Sequence, residues 1–382
     1  MNAITSKIIR TICYAVIILV IVGLAFWFVA GKILDNIFDI NIIGYRIETL
    51  TGDYVDRASY EAKDTVRSLD IDWKSSNVAI EVYDGDTVVF VESCQRELKS
   101  GELLKYSEKD GVLKIEFTVD NTLTKMAPKK LTVRIPSVMA YEMETVSVNC
   151  STAGIQAAGF SVDSLELVSD TGKIEVSGIG ARGNIILHTD TARISANDLF
   201  ADSINIESDT GSLELNDLKA EYRIDLQSDT GRITADKLIC PSVNVDGDTG
   251  DFKLNNVETT DFTSDSATGQ LTVINMTANT VEAQTDTGDI SLDGQIKTAE
   301  VRSSTGSITV SDSISVVSLY LKSDTGSITL YTAKDTGLTV HYSSSTGKFT
   351  NEFPVLVSGE DEADVIMKTA TGNMYIKEYV EE

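Results

Sequence analysis

Eleven times between residues 169 and 372 the chain writes Asp-Thr-Gly, or a close variant of it, behind a small polar residue. The copies are SDTG (169–172), TDTA (189–192), SDTG (208–211), SDTG (228–231), GDTG (247–250), SATG (266–269), TDTG (285–288), SSTG (303–306), SDTG (323–326), SSTG (344–347) and TATG (369–372). A carboxylate, a hydroxyl and a glycine at that spacing support three kinds of chemistry. Two such carboxylates sharing one proton would form an acid–base pair for peptide hydrolysis, and SDTGS at 323–327 has the residues for it. A row formed by Asp170, Asp190, Asp209, Asp229 and Asp248 would be an oxygen-only ladder for calcium. Alternatively each carboxylate accepts a backbone N–H and closes an Asx-turn.

The recurrence separates these readings. Proteolysis needs the tripeptide once from each of two lobes, whereas here it returns at every period of a short repeat. Calcium would relieve the repulsion of stacked carboxylates, roughly 0.9 kcal/mol per adjacent pair at ~4.8 Å in water. Ala267 and Ala370, however, stand where two copies should have the carboxylate, so a copy closes without it. The preferred reading is a turn, and neither a metal nor another cofactor is expected. The calcium ladder is the alternative, although the glycine-rich nonapeptide of calcium-binding rolls is absent. The turn is carried by Thr171 and Gly172, Thr210 and Gly211, Thr230 and Gly231, Thr249 and Gly250, Thr287 and Gly288, and Thr325 and Gly326.

Successive glycine positions lie 18 to 21 residues apart, the last interval being 25. A period near twenty held this long means a solenoid. Counting from the glycine, positions −7 and −5 are apolar (Leu165 and Leu167, Ile204 and Ile206), as are +2 and +4 (Leu213 and Leu215, Ile290 and Leu292). Polar residues alternate with them, the pattern of strands with one buried face. A further apolar residue near +7 (Ile179, Leu199, Leu218, Leu238) suggests a brief third side. The expected fold is all-β, a parallel β-solenoid of 19–20 residues per rung. Continuing the alternation to position −1 turns the threonines inward, where a column of hydroxyls could bond from rung to rung. Glycine would then give the backbone freedom to turn the corner.

Catalytic constellations are thin. The two histidines, His188 and His341, fall in different rungs, and no G-x-S-x-G, H-E-x-x-H or P-loop is present. The one long excursion, residues 351–364, reads as a solvated acidic loop. No catalytic residue is assigned. A net charge of −26 repels nucleic acid, anionic lipid and phosphate-rich wall polymers unless divalent cations mediate. Cys94, Cys150 and Cys240 are too few for a disulfide framework and read as buried thiols, with a Cys94–Cys150 bridge as the alternative.

Residues 11–30 (TICYAVIILVIVGLAFWFVA) carry no charge over twenty positions, enough helix to cross ~30 Å of hydrocarbon. The run reads as an uncleaved transmembrane helix, since it exceeds a signal-peptide core and lacks a small-x-small site after it. Lys7 and Arg10 on the short side orient the N-terminus to the cytoplasm and the rest of the chain outside. The expected organisation is a cytoplasmic tail (1–10), the helix (11–30), a juxtamembrane connector (31–66), an irregular β segment capping the solenoid (67–150) and the regular repeat with its C-terminal cap (151–382).

The strand order RSLDIDWKSSNVAIEV (67–82), DGVLKIE (110–116), LTVRIP (131–136) and then the T-G-x-I rungs resembles the bacterial putative-adhesin family, a domain of unknown function with β-strand repeats. That resemblance implies a single-pass cell-membrane protein with a β-helical ectodomain. Together with the preference for right-handed parallel crossovers it also implies a right-handed coil. It assigns no site residues. The expected function is non-enzymatic, an adhesin-like surface protein or envelope scaffold whose partner is an envelope or surface protein or glycan. The alternatives are an envelope-polysaccharide enzyme or, with the anchor inverted, a cytoplasmic-face β-helical scaffold.

Overall fold

The computed structural model describes residues 46–119, 125–312, 317–334, 338–357 and 364–379. The transmembrane segment expected at 11–30 lies outside them. Among the described residues no helix is long and apolar enough to cross a membrane. Arg46–Ile47 and Lys125–Met126 pair as two short parallel strands in a small unit of their own. The described chain from Thr49 onward, apart from that piece, forms a second unit, an all-β parallel solenoid.

Alternation builds each rung. In the strand Ile194–Ser208, the residues Ile194, Ala196, Leu199, Ala201, Ile204, Ile206 and Ser208 are buried and those between them face outward. They lie on three successive sides. Parallel pairing sets like on like, with Ile194 beside Leu213, Leu199 beside Leu218 and Ile204 beside Ile224. The columns expected at −7, −5, +2, +4 and +7 are thus all buried through the middle of the array. Aliphatic residues serve because every rung stacks on a near-identical neighbour, and stacked branched chains fill the space between sheets without rings.

A second corner falls at +6. Asp198, Asp217, Lys237, Asn256 and Asn275 have φ between 51° and 60°, and Gly178 sits at 60°. Asn and Asp tolerate this left-handed conformation better than other side chains. Their side chains also tie neighbouring rungs: Lys237 Nζ donates to Asp217 Oδ2 at 2.7 Å, and Asn275 Nδ2 to Asn256 Oδ1 at 2.6 Å.

At both ends the rungs stack out of chain order. Val112–Glu116 and Lys129–Pro136 lie outside Ser68–Trp73 and Asn77–Tyr83, which in turn pair with Met143–Cys150 and Gly154–Ala158. At the far end, Ser318–Thr325 pairs with Val365–Thr371, and Thr339–Ser344 packs on the other edge of that last strand. The regular succession expected for the final two copies is therefore inverted. The longer 351–364 excursion gives the chain the slack to return inside. Asp364, expected in a merely solvated loop, is a tie between the two. Its Oδ2 accepts from the Thr339 N–H at 2.8 Å and hydroxyl at 2.7 Å, and these bonds hold its carboxyl below the usual range.

Antiparallel strands close the N-terminal end, where Val55–Glu61 and Lys129–Pro136 flank Val89–Cys94. Trp73, Phe90 and Phe117 are buried there. So is Lys129, whose Nζ stands 2.7 Å from Glu92 Oε1 and 4.1 Å from the centre of the Phe117 ring. Burial lowers the Lys129 pKa against the pull of Glu92. Cys94, Cys150 and Cys240 are buried free thiols.

Candidate binding groove

The Asp-Thr-Gly corner differs from its expected form in three respects. The threonines do not point inward. All eleven, from Thr171 to Thr371, are exposed, and so is the neighbouring position −2 in most copies. Two successive outward residues break the alternation; in the copies up to 228–231 the strand ends just before them, at position −3. The inward polar column is instead position −3: Ser169, Thr189, Ser208, Ser228, Ser266, Thr285, Ser303, Ser323 and Thr369 are all buried. Parallel register stacks Ser303 on Ser323, Ser323 on Thr369 and Thr369 on Ser344.

The glycine answers a close approach rather than a turn. A Cβ on Gly231 would overlap the carbonyl oxygen of Gly211, and one on Gly288 that of Gly269. Ala192 is the tolerated exception, and its corner is loose. Thr189 Oγ1 lies 3.3 Å from Gly172 O and 3.4 Å from Ala192 N, where the equivalent bonds of Ser228 measure 2.8 and 3.0 Å.

The bonds seen at the −2 carboxylates come from side chains. Asp190 Oδ1 lies 3.2 Å from His188 Nε2, and Asp229 Oδ1 accepts from Gln227 Nε2 at 3.3 Å. Backbone N–H groups bond instead to Asp251 and Asp289, the residues just after the glycine, at 3.2 and 2.7 Å. Among the described residues no three His, Cys, Asp or Glu side chains converge as a metal would need. The row of Asp170, Asp190, Asp209, Asp229 and Asp248 lies along the outer edge of the corner.

Hydroxyls at −3 do the closing. Ser169 Oγ donates to Ala153 O and accepts from Gly172 N, both at 2.9 Å. Ser208 and Ser228 repeat this clasp, joining the preceding rung's carbonyl to their own glycine's N–H. Gly247 then interrupts the column, having no side chain to clasp with. From Gly250 to Gly326 the glycine N–H turns to the next rung instead: Gly250 N bonds Thr268 O, Gly269 N bonds Thr287 O and Gly288 N bonds Thr305 O, at 2.9 to 3.0 Å, whereas Gly347 N returns to the hydroxyl clasp with Ser344 Oγ at 2.7 Å. In this second type of corner Ser303 and Ser323 still reach the previous glycine carbonyl. Ser266 Oγ and Thr285 Oγ1 are buried with no partner among the described residues.

A cavity of about 590 Å³ opens where the two corner types meet. Six successive rungs line it with their −4 and −2 side chains, from Gln227 and Asp229 to Lys322 and Asp324. Gly247, Ser266, Thr285 and Ser303 contribute from the inward column. Asp246, half-buried in this groove, is held above the usual carboxylate range by burial and by its neighbour Asp265, although Asn244 Nδ2 donates to it at 2.6 Å. Gln284 Nε2 donates to Asp265 Oδ2 at 2.7 Å. Of the expected ladder only Asp229 and Asp248 reach the groove. Sequence reasoning missed the −3 column, although its signal stood in the first letter of every tetrapeptide but GDTG.

Residues 232–378 match the model of the Toastrack DUF4097 family, and no curated protein matches the chain. Among solved structures, a putative adhesin from Bacteroides fragilis NCTC 9343 is 13% identical with a TM-score of 0.26, covering 86% of this chain and 98% of that one. A putative cell adhesion protein from Clostridium sporogenes ATCC 15579 is 10% identical with a TM-score of 0.18, covering 85% and 100%. A putative lipid binding protein from Parabacteroides distasonis ATCC 8503 is 15% identical with a TM-score of 0.24, covering 83% and 96%.

Proposed function

We propose that this chain, which carries a Toastrack DUF4097 domain at residues 232–378, is a non-enzymatic, adhesin-like surface protein that binds a ligand in the groove described above. In this reading residues 11–30 anchor it in the cell membrane and the solenoid stands outside the cytoplasm. The observation that carries the binding role is the concave groove of about 590 Å³, which the outward −4 and −2 side chains of six successive rungs line. The twenty-residue uncharged segment supports the anchor.

A peptide tag placed at residue 360 and probed with antibody or protease on intact cells tests the display. Tag access without permeabilisation is the expected result. Protection until lysis would overturn surface display and favour a scaffold on the cytoplasmic face.

A further inference from the structure

We infer that the C-terminal end of the solenoid is the interface of a two-fold homodimer, in which the outermost strand, Thr339–Ser344, pairs antiparallel with the same strand of a second copy. This goes beyond the binding role of the groove and does not depend on it. Residues 342–344 pair with Val365–Thr371 on one side, and among the described residues no strand pairs with them on the other. The edge is a step, because Leu356–Val357 covers only Thr339 and Val340. Leu356, on that step, is 64% exposed. The core ends here too. Tyr342 and Phe349 continue the buried columns of Met367 and Met374, and their rings stack with centroids 4.1 Å apart. Tyr342 is nevertheless 40% exposed, since no described rung covers it.

An open edge recruits strands, and proteins blunt theirs with charges, prolines and bulges. The opposite end is blunted in this way. Lys105–Lys109, which among the described residues pairs only with Val112–Glu116, carries Lys105, Glu108 and Lys109. Val55–Glu61 carries Arg57 in a bulge between Asp56 and Ala58. Thr339–Ser344 has no bulge, proline, Lys, Arg, Asp or Glu. That contrast selects the occupant. Two chains of net charge −26 repel each other over most of their surface, and this uncharged strand is where their backbones can meet. Head-to-tail stacking would set it against the charged, antiparallel end, so the contact closes on itself with two-fold symmetry.

Alternation fixes the register. The Leu356 N–H bonds Leu338 O at 3.3 Å on the outer side, so the main-chain groups of Tyr342 and Ser344 turn outward as well. Opposed residues of an antiparallel pair face the same side of the sheet, which sets the two-fold axis on a residue. Val357 occupies the outer side of Val340, and this rules out an axis at Tyr342 and places it at Ser343. Tyr342 then exchanges two hydrogen bonds with Ser344 of the second copy, and the two Ser343 residues meet as a non-hydrogen-bonded pair between these bonds.

The test uses the full chain with Cys13→Ser in non-ionic detergent, followed by analytical ultracentrifugation and non-reducing gels. A concentration-dependent dimer is expected. Ser343 is exposed and lies beside Lys368 of its own chain, so Ser343→Asp folds while opposing two carboxylates across the axis. It is expected to raise the dimer dissociation constant about tenfold. Thr234→Asp, beside Lys253 in the middle of the array, adds the same charge and is expected to change it less than about twofold. Oxidised Ser343→Cys is expected to form an inter-chain disulfide, because the Cα atoms of such a pair lie ~4.5 Å apart, within a disulfide's reach. Thr234→Cys is expected to form none. A monomer at every concentration, or a dimer that Ser343→Asp weakens no more than Thr234→Asp does, would overturn the interface. A dimer that Ser343→Asp dissociates but that fails to cross-link in Ser343→Cys would overturn the two-fold register.

Discussion

The corners of rungs 169–231 and those of rungs 247–326 are written in nearly the same letters and closed in different ways. In the first group a serine or threonine hydroxyl holds its own glycine's N–H, and the Thr N–H reaches back to the preceding rung, as from Thr210 N to Asp190 O at 2.9 Å. In the second group the strand stays extended through the threonine and the glycine N–H reaches forward. The glycine conformation changes with it, φ lying between 153° and 158° from Gly250 to Gly326. One residue marks the border. Gly247 cannot clasp, and once one corner has adopted the backbone-only closure, parallel register passes it to the next rung. The difference shows that a hydroxyl in a repeat serves two roles that can be separated. Where it closes the corner it is structural, and where the backbone closes the corner the hydroxyl is released from the glycine N–H, keeping the previous glycine carbonyl at Ser303 and Ser323 and no partner at Ser266 and Thr285.

The largest effect should come from the close approach that both groups share. Gly288→Ala is expected to lose ~3 kcal/mol or more in chemical denaturation, because its Cβ would overlap Gly269 O. Ala192→Gly, at the one loose corner, should stay within about 1 kcal/mol, glycine's chain entropy offsetting the tighter fit. Equal losses at the two sites would mean that the glycine acts through turn geometry after all.

Next in size is the hydroxyl comparison. Ser228→Ala leaves Gly211 O and Gly231 N without their clasp, and should cost ~1–3 kcal/mol. Ser266→Ala removes a group with no partner, and should be neutral or slightly stabilising. A matching loss at Ser266 in ligand-free protein would show that its hydroxyl is structural, and the border at Gly247 would lose its meaning.

Below the first clasp lies Cys150, at the same inward position on the neighbouring rung and paired with Ser169. Burial, with smaller contributions from Asp72 and Asp170, pushes its thiol up to about 12 from an ordinary 9.0. A raised thiol pKa favours the neutral form in the fold, so its contribution is complete below pH ~9 and is lost as pH rises towards ~12. Denaturation midpoints should fall across that window in the wild type and fall less in Cys150→Ser. Parallel curves for the two would remove the thiol from the account.

The smallest effect concerns the outer edge. Asp190→Asn/Asp209→Asn/Asp229→Asn should shift the melting temperature little. Calcium and magnesium at matched ionic strength should act alike on the parent chain. A calcium-specific rise that disappears in the triple variant would restore the carboxylate ladder.

The buried columns were legible in the sequence because alternation and burial are one signal: Ile204, Leu213 and Ile290 sit where their spacing put them. Parity failed at the corner, since extrapolating from −5 to −1 assumes that strict alternation continues past position −3, where two outward residues follow each other. Thr171 therefore faces out and Ser169 in. The second corner was also readable, in Asp198, Asp217, Asn256 and Asn275 at a fixed offset, once the left-handed tolerance of those residues is considered. The groove was not readable. It depends on a single glycine changing the hydrogen-bond partners of later rungs, and no local pattern records that. Nor does spacing record the inverted end rungs, because a strand that returns inside its predecessor has the same alternation as one that stacks beyond it.

That inversion sets a timetable for the chain. Val365–Thr371 and Met374–Glu378 lie between rungs made earlier, so the outermost rung has nothing to rest on until residues 365–378 have been synthesised. During translation the array therefore cannot be finished from one end like a growing stack. Its inner position is filled only when residues 365–378 arrive, and a chain cut short before residue 365 would leave an open sheet edge ready to recruit another strand.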